Sequence, residues 1–407
     1  MKYVVVIADG IADGPVDALG GLTPLESLHL PHFDALAGGY LGRVRTVPEG
    51  LPPGSDTAIL SIFGNDPRRC YTGRSPLEAA GSGVTLSPGE ISFRVNMTSL
   101  EGTDFAHARI LSHNGGGVEG EDMDALTAAL AADAGVAAAA QALGLTLHPT
   151  RSFRHVGVIE AGKAPPDAAY RLAEPHNILG QPIAPHLPQG AGAEELRAYM
   201  AASYAALRDH PLNRARAARG LPGANCLWPW GAGRATQLAD FYDKYGKRAV
   251  AISAVPLVWG IAALAGMPAP RVPGATGGLD TDYAAKLAAA LAALAAGADI
   301  AFLHIEAPDE CAHAGDVAGK CEALRRIDAR VLAPLLNALP HIDPDFRILL
   351  LSDHPTLLST RGHDGAPVPY CIYESRRPAP PRKFSEAEAS KEPLLEEGSE
   401  LLALLFA

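Results

Sequence analysis

Four short aliphatic runs constrain this chain most: "YVVVIADG" (3–10), "RAVAISAV" (248–255), "DIAFLHIEA" (299–307) and "RILLLSDH" (347–354). Each is nearly continuous in apolar residues instead of alternating, as strands buried on both faces of a parallel sheet are. Helical patterns fit 56–63, 283–296 and 317–339. Together these predict an α/β sandwich with a mostly parallel sheet. In such sheets ligands bind beyond the carboxyl ends of the strands. Asp9, Asp309, Asp353 and His354 all fall at those ends.

The middle of the chain reads differently. Residues 90–99 and 152–162 suggest strands, 122–144 an Ala-rich helix, 175–190 a Pro-rich loop and 193–209 a further helix. This predicts a smaller α+β domain at 89–222, inserted into a core domain made of 1–88 and 223–407. A chain of 407 residues is long enough for about two such domains. The polar, Pro-rich tail "ESRRPAPPRKFSEAEASKEP" is expected to wrap the surface before a last amphipathic helix.

Hydrophobic residues make up 48% and charged residues 19%, as in a folded globular protein. The formal net charge is −11 and no basic block stands out, which argues against nucleic acid as a partner. The five cysteines are scattered without a C-x-x-C pair, so a reducing compartment fits better than a disulfide framework. The first apolar run reads as a buried strand, not a signal peptide. "LAAALAALAAG" is too short to span a bilayer. A soluble, cytoplasmic protein without a membrane partner is expected.

The candidate ligands come from four separated segments. They are Asp9 in "IADG", Ser55 in "LPPGSDTAILSIFG", Asp309 and His313 in "IEAPDECAHAGD", and Asp353, His354 and His363 in "LLLSDHPTLLSTRGHDG". Asp309 and His313 are four residues apart, on one face of a helical turn. A strand-terminal Asp can equally be a helix cap, and a lone His is more often structural than ligating. Three carboxylates and three histidines at one edge of one sheet are harder to explain as separate caps, and mixed Asp/His sets suit divalent metals such as Mn²⁺ or Zn²⁺. Ser55 follows Gly54 and opens a helical run, where free N–H groups and the dipole favour an anion. It is either a nucleophile awaiting activation or an ordinary N-cap.

In this order the residues resemble the alkaline phosphatase superfamily, and within it the archaeal-type cofactor-independent phosphoglycerate mutases and their bacterial relatives. The resemblance runs through "GGLTPLESLHLPHFDALA", "PPGSDTAILSIFGNDPRRCYTGRSPLEAAG", "HPLNRARAARGLPGAN", "VPGATGGLDTDY", "EAPDECAHAGD" and "LSDHPT". "CLWPWGAGRATQLADFYDKYG" looks most like a bacterial branch, some members of which carry the provisional name homoserine kinase.

The resemblance implies an alkaline-phosphatase-like three-layer sandwich with an inserted domain. It implies two divalent metal ions, Mn²⁺ foremost, with Mg²⁺, Zn²⁺ or Co²⁺ as alternatives. Asp9, Ser55, Asp353 and His354 would hold one, and Asp309, His313 and His363 the other. His304 and Glu306 flank the strand end behind them, and Asp316 is left as a helix N-cap. The implied reaction interconverts 2- and 3-phosphoglycerate through a phosphoserine at Ser55. The inserted domain would hold the substrate carboxylate, a task that suits bidentate arginines. Candidates are Arg154 beside His155, with Arg94, Asn96, Arg109, His113 and Arg234. One departure stands out. Relatives commonly read "VDLIKG" where this chain reads "VPLVWG", so Pro256 and Trp259 replace an Asp and a Lys; Lys247 and Arg248 are the cations just before. Rival readings are a phosphotransferase or phosphomonoesterase acting on another small hydroxy substrate such as homoserine, and a non-catalytic metal-stabilised binding protein.

Overall fold

A computed structural model describes residues 1–165 and 170–407. The chain divides into two compact units, 1–71 with 237–407, and 72–236. The strands, in chain order, are β1 (Lys2–Ala8), β2 (Tyr40–Val44), β3 (Ile91–Glu101), β4 (Arg109–Ser112), β5 (Leu145–His148), β6 (Arg154–Ile159), β7 (Cys226–Arg234), β8 (Ala249–Ile252), β9 (Ile300–Ile305), β10 (Phe346–Leu351), β11 (Thr356–Leu357), β12 (Gly362–His363), β13 (Val368–Glu374) and β14 (Leu394–Leu395).

The first unit is built on one sheet in the order β14-β2-β13-β10-β1-β9-β8. The four aliphatic runs are its parallel centre, β10, β1, β9 and β8. β13 runs against both β10 and β2. Both faces are covered. Val4, Val6 and Ala8 of β1 face a core with Phe33, Leu36, Leu287 and Leu324. On the other face Tyr3 meets Phe406 edge-on at 5.0 Å, and Phe302 packs on Phe63 at 4.4 Å. The result is three layers, as expected. Register sets the site: Ile7 lies level with Leu351 on one side and His304 on the other. The residues just past β1, β9 and β10 therefore emerge together at one edge.

Of two expected helices, one runs through with a locally wider turn and one is bent in two. The run 317–339 is helical without interruption, Val317–Ile327 passing through a wider helical turn at Asp328–Leu332 into Ala333–Ile342. The Asp328 carboxylate accepts the backbone N–H groups of His32 and Phe33, capping helix Pro31–Ala37. The run 122–144 forms Gly120–Ala132 and Ala134–Leu143, bent by 75°. There Asp133 accepts from Val136 N and starts a second helix. Among the described residues no single helix is long and apolar enough to cross a membrane.

The second unit holds the sheet β4-β3-β6-β5, with β7 on β3. It is wider than the stretch 89–222. β7 pairs with β3 from Thr98↔Cys226 to Ile91↔Arg234, and helix Arg74–Gly81 belongs to the same unit. Pro229 is tolerated inside β7 because β7 is an edge strand, paired on one side only.

Candidate active site

Asp9, Ser55, Asp309, His313, Asp353, His354 and His363 all belong to the first unit, and the fold brings them together. Ser55 is the first residue of helix Ser55–Ile62; the N-cap is Gly54, and Ser55 makes no capping bond. Its Oγ instead lies 3.0 Å from His354 Nε2. Asp316, by contrast, is the N-cap of helix Val317–Ile327 and accepts from Gly319 N at 2.8 Å.

Around Ser55 the hydrogen bonds leave one free donor atom on each neighbour. Asp353 Oδ1 accepts the N–H groups of Gly10 and His354, while its Oδ2 has no hydrogen-bond partner. Asp9 Oδ2 meets His304 Nε2 at 3.0 Å, while its Oδ1 has none. Both free oxygens approach His354 Nε2, at 3.2 Å from Asp353 and 3.7 Å from Asp9, without bonding to it. Behind Asp9, the Ser253 hydroxyl accepts from Val255 N and lies 3.1 Å from His304 Nδ1. His304 is thus supplied with a proton on Nδ1 by Ser253 and gives its own on Nε2 to Asp9.

A second set stands beside the first. His313 Nε2 lies 3.3 Å from Asp309 Oδ2, and His363 Nε2 lies 3.4 Å from Asp309 Oδ1. The two imidazole nitrogens are 2.9 Å apart. His313 Nδ1 donates to the carbonyl of Arg361 at 2.9 Å. Arg361 is the only non-glycine with positive φ (56°) among the described residues, and that left-handed backbone presents the carbonyl.

The electrostatics ask for a cation. Burial pushes the Asp9 carboxyl well above its ordinary range, and the Asp353 and Asp309 carboxylates push it further. Burial pulls His304 down to about 4 and lowers His354, so neither is a positive partner near neutral pH. Burial would also raise Asp309, but hydrogen bonds from His313 and His363 hold it well below the usual carboxylate range. His313 is pushed up to about 9 by its bond to Asp309. Buried carboxylate oxygens without partners are costly. The sets Asp309/His313/His363 and Asp9/Asp309/His354 each bring their donor atoms within 4.8 Å of one another, so the residues present fit divalent metal ions.

The substrate candidates lie in the second unit and do not form one set. On β3, Arg94 and Asn96 share a face with their partners Trp230 of β7 and Arg154 of β6. His155 points to the opposite face. It is buried, accepts from Thr150 N at 3.1 Å, and leaves Nε2 without a partner. The pairing of Arg154 with His155 therefore separates across the sheet. Arg94 is an internal strut: its Nε is 2.8 Å from Glu78 Oε2, and its guanidinium lies 4.0 Å from the Trp230 ring centre. Asn96 is spent between Trp230 Nε1 and the His113 carbonyl. Arg234 holds the carbonyls of Gly89 and Pro165. Exposed Arg109 donates to Gly180 O. His113 lies beside His176, ring centres 6.2 Å apart, and exposed Arg154 reaches over Phe153. His176 also packs on Trp230. Nothing about isolated residues 176 or 230 marks them in the sequence.

Trp259 donates its indole N–H to Ser253 O, at the carboxyl end of β8, and carries the Arg271 guanidinium 2.9 Å from its ring centre. Lys247 and Arg248 cannot serve there. They precede β8 at the opposite edge, Lys247 over the Tyr3 and Phe406 rings and Arg248 paired with Asp299.

The mostly parallel sheet and its insertion define a class seen in solved structures. A Pyrococcus horikoshii protein, 29% identical, superposes over all of this chain and 96% of its own with a TM-score of 0.75. The cofactor-independent phosphoglycerate mutase of Thermoplasma acidophilum, 24% identical, shares the fold over all of this chain and 99% of its own with a TM-score of 0.63. The family model described as 2,3-bisphosphoglycerate-independent phosphoglycerate mutase matches residues 37–213. Two curated relatives match end to end, covering 100% of both chains. One, from Methanothrix thermoacetophila, is named 2,3-bisphosphoglycerate-independent phosphoglycerate mutase and is 41% identical. The other, from Geobacter sulfurreducens, is named as a probable enzyme of that kind and is 40% identical. The chain belongs to the 2,3-bisphosphoglycerate-independent phosphoglycerate mutase family.

Proposed function

We propose that this chain interconverts 2- and 3-phosphoglycerate by way of a phosphoserine at Ser55. The observation that carries the reading is Ser55 Oγ, held 3.0 Å from His354 Nε2 and free of any capping role, in a chain that matches mutases end to end. Two divalent cations are part of the proposal, Mn²⁺ foremost. One would be held by Asp9, Ser55, Asp353 and His354, and the other by Asp309, His313 and His363. Bound cations supply the positive charge that lowers the serine pKa and neutralises phosphate oxygens.

The chain's own residues do the rest. His304 and the two backbone N–H groups on Asp353 hold both carboxylates so that one oxygen of each approaches His354 Nε2, the atom that Ser55 Oγ also meets. Ser55 Oγ gives up its proton, attacks phosphorus and forms the Ser–O–P bond while the bond from phosphorus to the substrate oxygen breaks. The freed glycerate oxygen takes up a proton, which balances the one Ser55 gave up, and becomes a hydroxyl. In the return step the other hydroxyl of the same glycerate attacks the phosphoserine, loses its proton and releases Ser55. The transfer is largely positioning and charge neutralisation. The second unit would hold the glycerate carboxylate, with exposed Arg154 the foremost candidate. The five free thiols, four of them buried, fit a reducing cytoplasm.

Trp259, where the family resemblance leads one to expect a lysine, favours one alternative: transfer to or from another small hydroxylated substrate, or hydrolysis. Metal-loaded protein given 3-phosphoglycerate distinguishes these readings when 2-phosphoglycerate and free phosphate are followed separately. A mutase yields 2-phosphoglycerate without phosphate. Phosphate alone, or neither product, overturns the proposal.

A further inference from the structure

One buried hydroxyl touches both donor sets. Thr356 Oγ1 lies 2.6 Å from Asp309 Oδ1 and 3.2 Å from His354 Nδ1. A hydroxyl carries one proton, and the carboxylate, which can only accept, takes it. The oxygen is then an acceptor toward His354, so the imidazole must carry its proton on Nδ1. That leaves the Nε2 lone pair facing Ser55 Oγ. We propose that Thr356 is a positioning residue that fixes the His354 tautomer and ties the two donor sets together. The inference deepens the metal-site reading above and rests on it for its metal readout only.

Several features hold the hydroxyl in place. Thr356 is fully buried. Its backbone N–H donates to Ala12 O, and its carbonyl accepts from the buried Lys320 Nζ at 2.7 Å. Lys320 is itself paired with Asp13 at 2.7 Å, whose carboxylate also accepts from Leu358 N. Gly10 leaves the room: a Cβ there would stand 2.6 Å from Thr356 Oγ1. Outer partners of this kind orient metal-ligating histidines and tune their basicity.

The test uses full-length protein with Thr356→Val, which keeps the shape and removes the hydroxyl, and Thr356→Ser, which restores it. The first readout is the His354 tautomer in metal-free protein, from the ring nitrogen shifts of ¹⁵N-histidine-labelled samples, assigned with His354→Asn. Wild type and Thr356→Ser are expected in the Nδ1–H form, and Thr356→Val in a mixture or in the Nε2–H form. The second readout is Mn²⁺ affinity by chelator competition, expected to fall about 10–100-fold in Thr356→Val and to recover in Thr356→Ser. An Nε2–H tautomer in the wild type overturns the proposal even if neither variant folds. So does a Thr356→Val protein with the wild-type tautomer and affinity. If the wild type binds no Mn²⁺, the metal reading fails while the tautomer result still decides the role of Thr356.

Discussion

His313 Nε2 and His363 Nε2 face each other at 2.9 Å, and His313 Nδ1 is committed to the Arg361 carbonyl. Two lone pairs cannot be held that close unless a proton or another cation is shared between them. A His313 pushed up to about 9 holds such a proton at neutral pH. A metal ion binding there must displace it. The sign follows: below about 9 the proton competes, so apparent Mn²⁺ affinity for this set rises with pH. The expected slope is about tenfold per pH unit for one displaced proton. Chelator competition between pH 6 and 8 measures it, and a flat profile contradicts the proton count.

His313→Ala is expected to lose about one bound metal per chain and to keep the fold, because His313 sits half-exposed at the end of helix Ala307–Ala314. Metal content by mass spectrometry and a melting curve check the two parts separately. Unchanged stoichiometry excludes His313 as a ligand.

Ser55→Ala separates the two roles open to a serine at a helix start. Because Ser55 caps nothing, the melting temperature should barely move. Turnover should fall by roughly 10⁴ or more, the usual scale for losing a nucleophile in a coupled site. Acid-quenched peptide mapping of the wild type should find phosphate on Ser55. Near-normal turnover of a fully loaded Ser55→Ala protein would end the phosphoserine mechanism.

Arg94 and Arg154 make opposite predictions although both lie on one face of the second unit's sheet. Arg94→Ala leaves the partly buried Glu78 with Arg74 alone, a loss of about 1.5–3 kcal/mol. Exposed Arg154→Ala should leave the melting curve in place and raise KM for phosphoglycerate. Denaturant titrations and steady-state kinetics on the pair read both effects. An unchanged KM removes Arg154 from the substrate site.

His155 makes stability pH-dependent. Burial pulls it down to about 4, below its ordinary 6.5. The unfolded chain therefore binds a proton more readily than the folded one between these values. Stability is complete above about 6.5 and is lost as pH falls toward 4, by about 3 kcal/mol in total. Urea midpoints at pH 7 and pH 5 should differ more for the wild type than for His155→Gln. Equal differences rule out the imidazole.

The parallel centre of the fold was legible because strands buried on both faces leave long apolar runs, and acid residues past such runs announce a ligand edge. The flanking strands were not. β2 and β13 have little of that apolar continuity, and β7 carries a proline that argues against a strand until its edge position is known. The bend at Asp133 depends on its carboxylate finding Val136 N, and the partners of Asp328 lie as far away in sequence as His32. The seven candidate donors of the first unit were readable as residue types at strand ends. Thr356 was not, because a threonine after "SDHP" looks like any other until its hydroxyl is seen between Asp309 and His354. In the second unit, adjacency misled: Arg154 and His155 are neighbours in the chain and lie on opposite sides of the sheet.

β1 lies inside its sheet, between β9 and β10, and pairs with no other strand. During synthesis its "YVVVIA" segment has no strand to join until residue 300 has been made. The second unit draws its whole sheet from residues 91–234 and can close long before that. This aliphatic strand must therefore be kept from other chains until its neighbours have been made, and the site it anchors forms only once β10 has joined it.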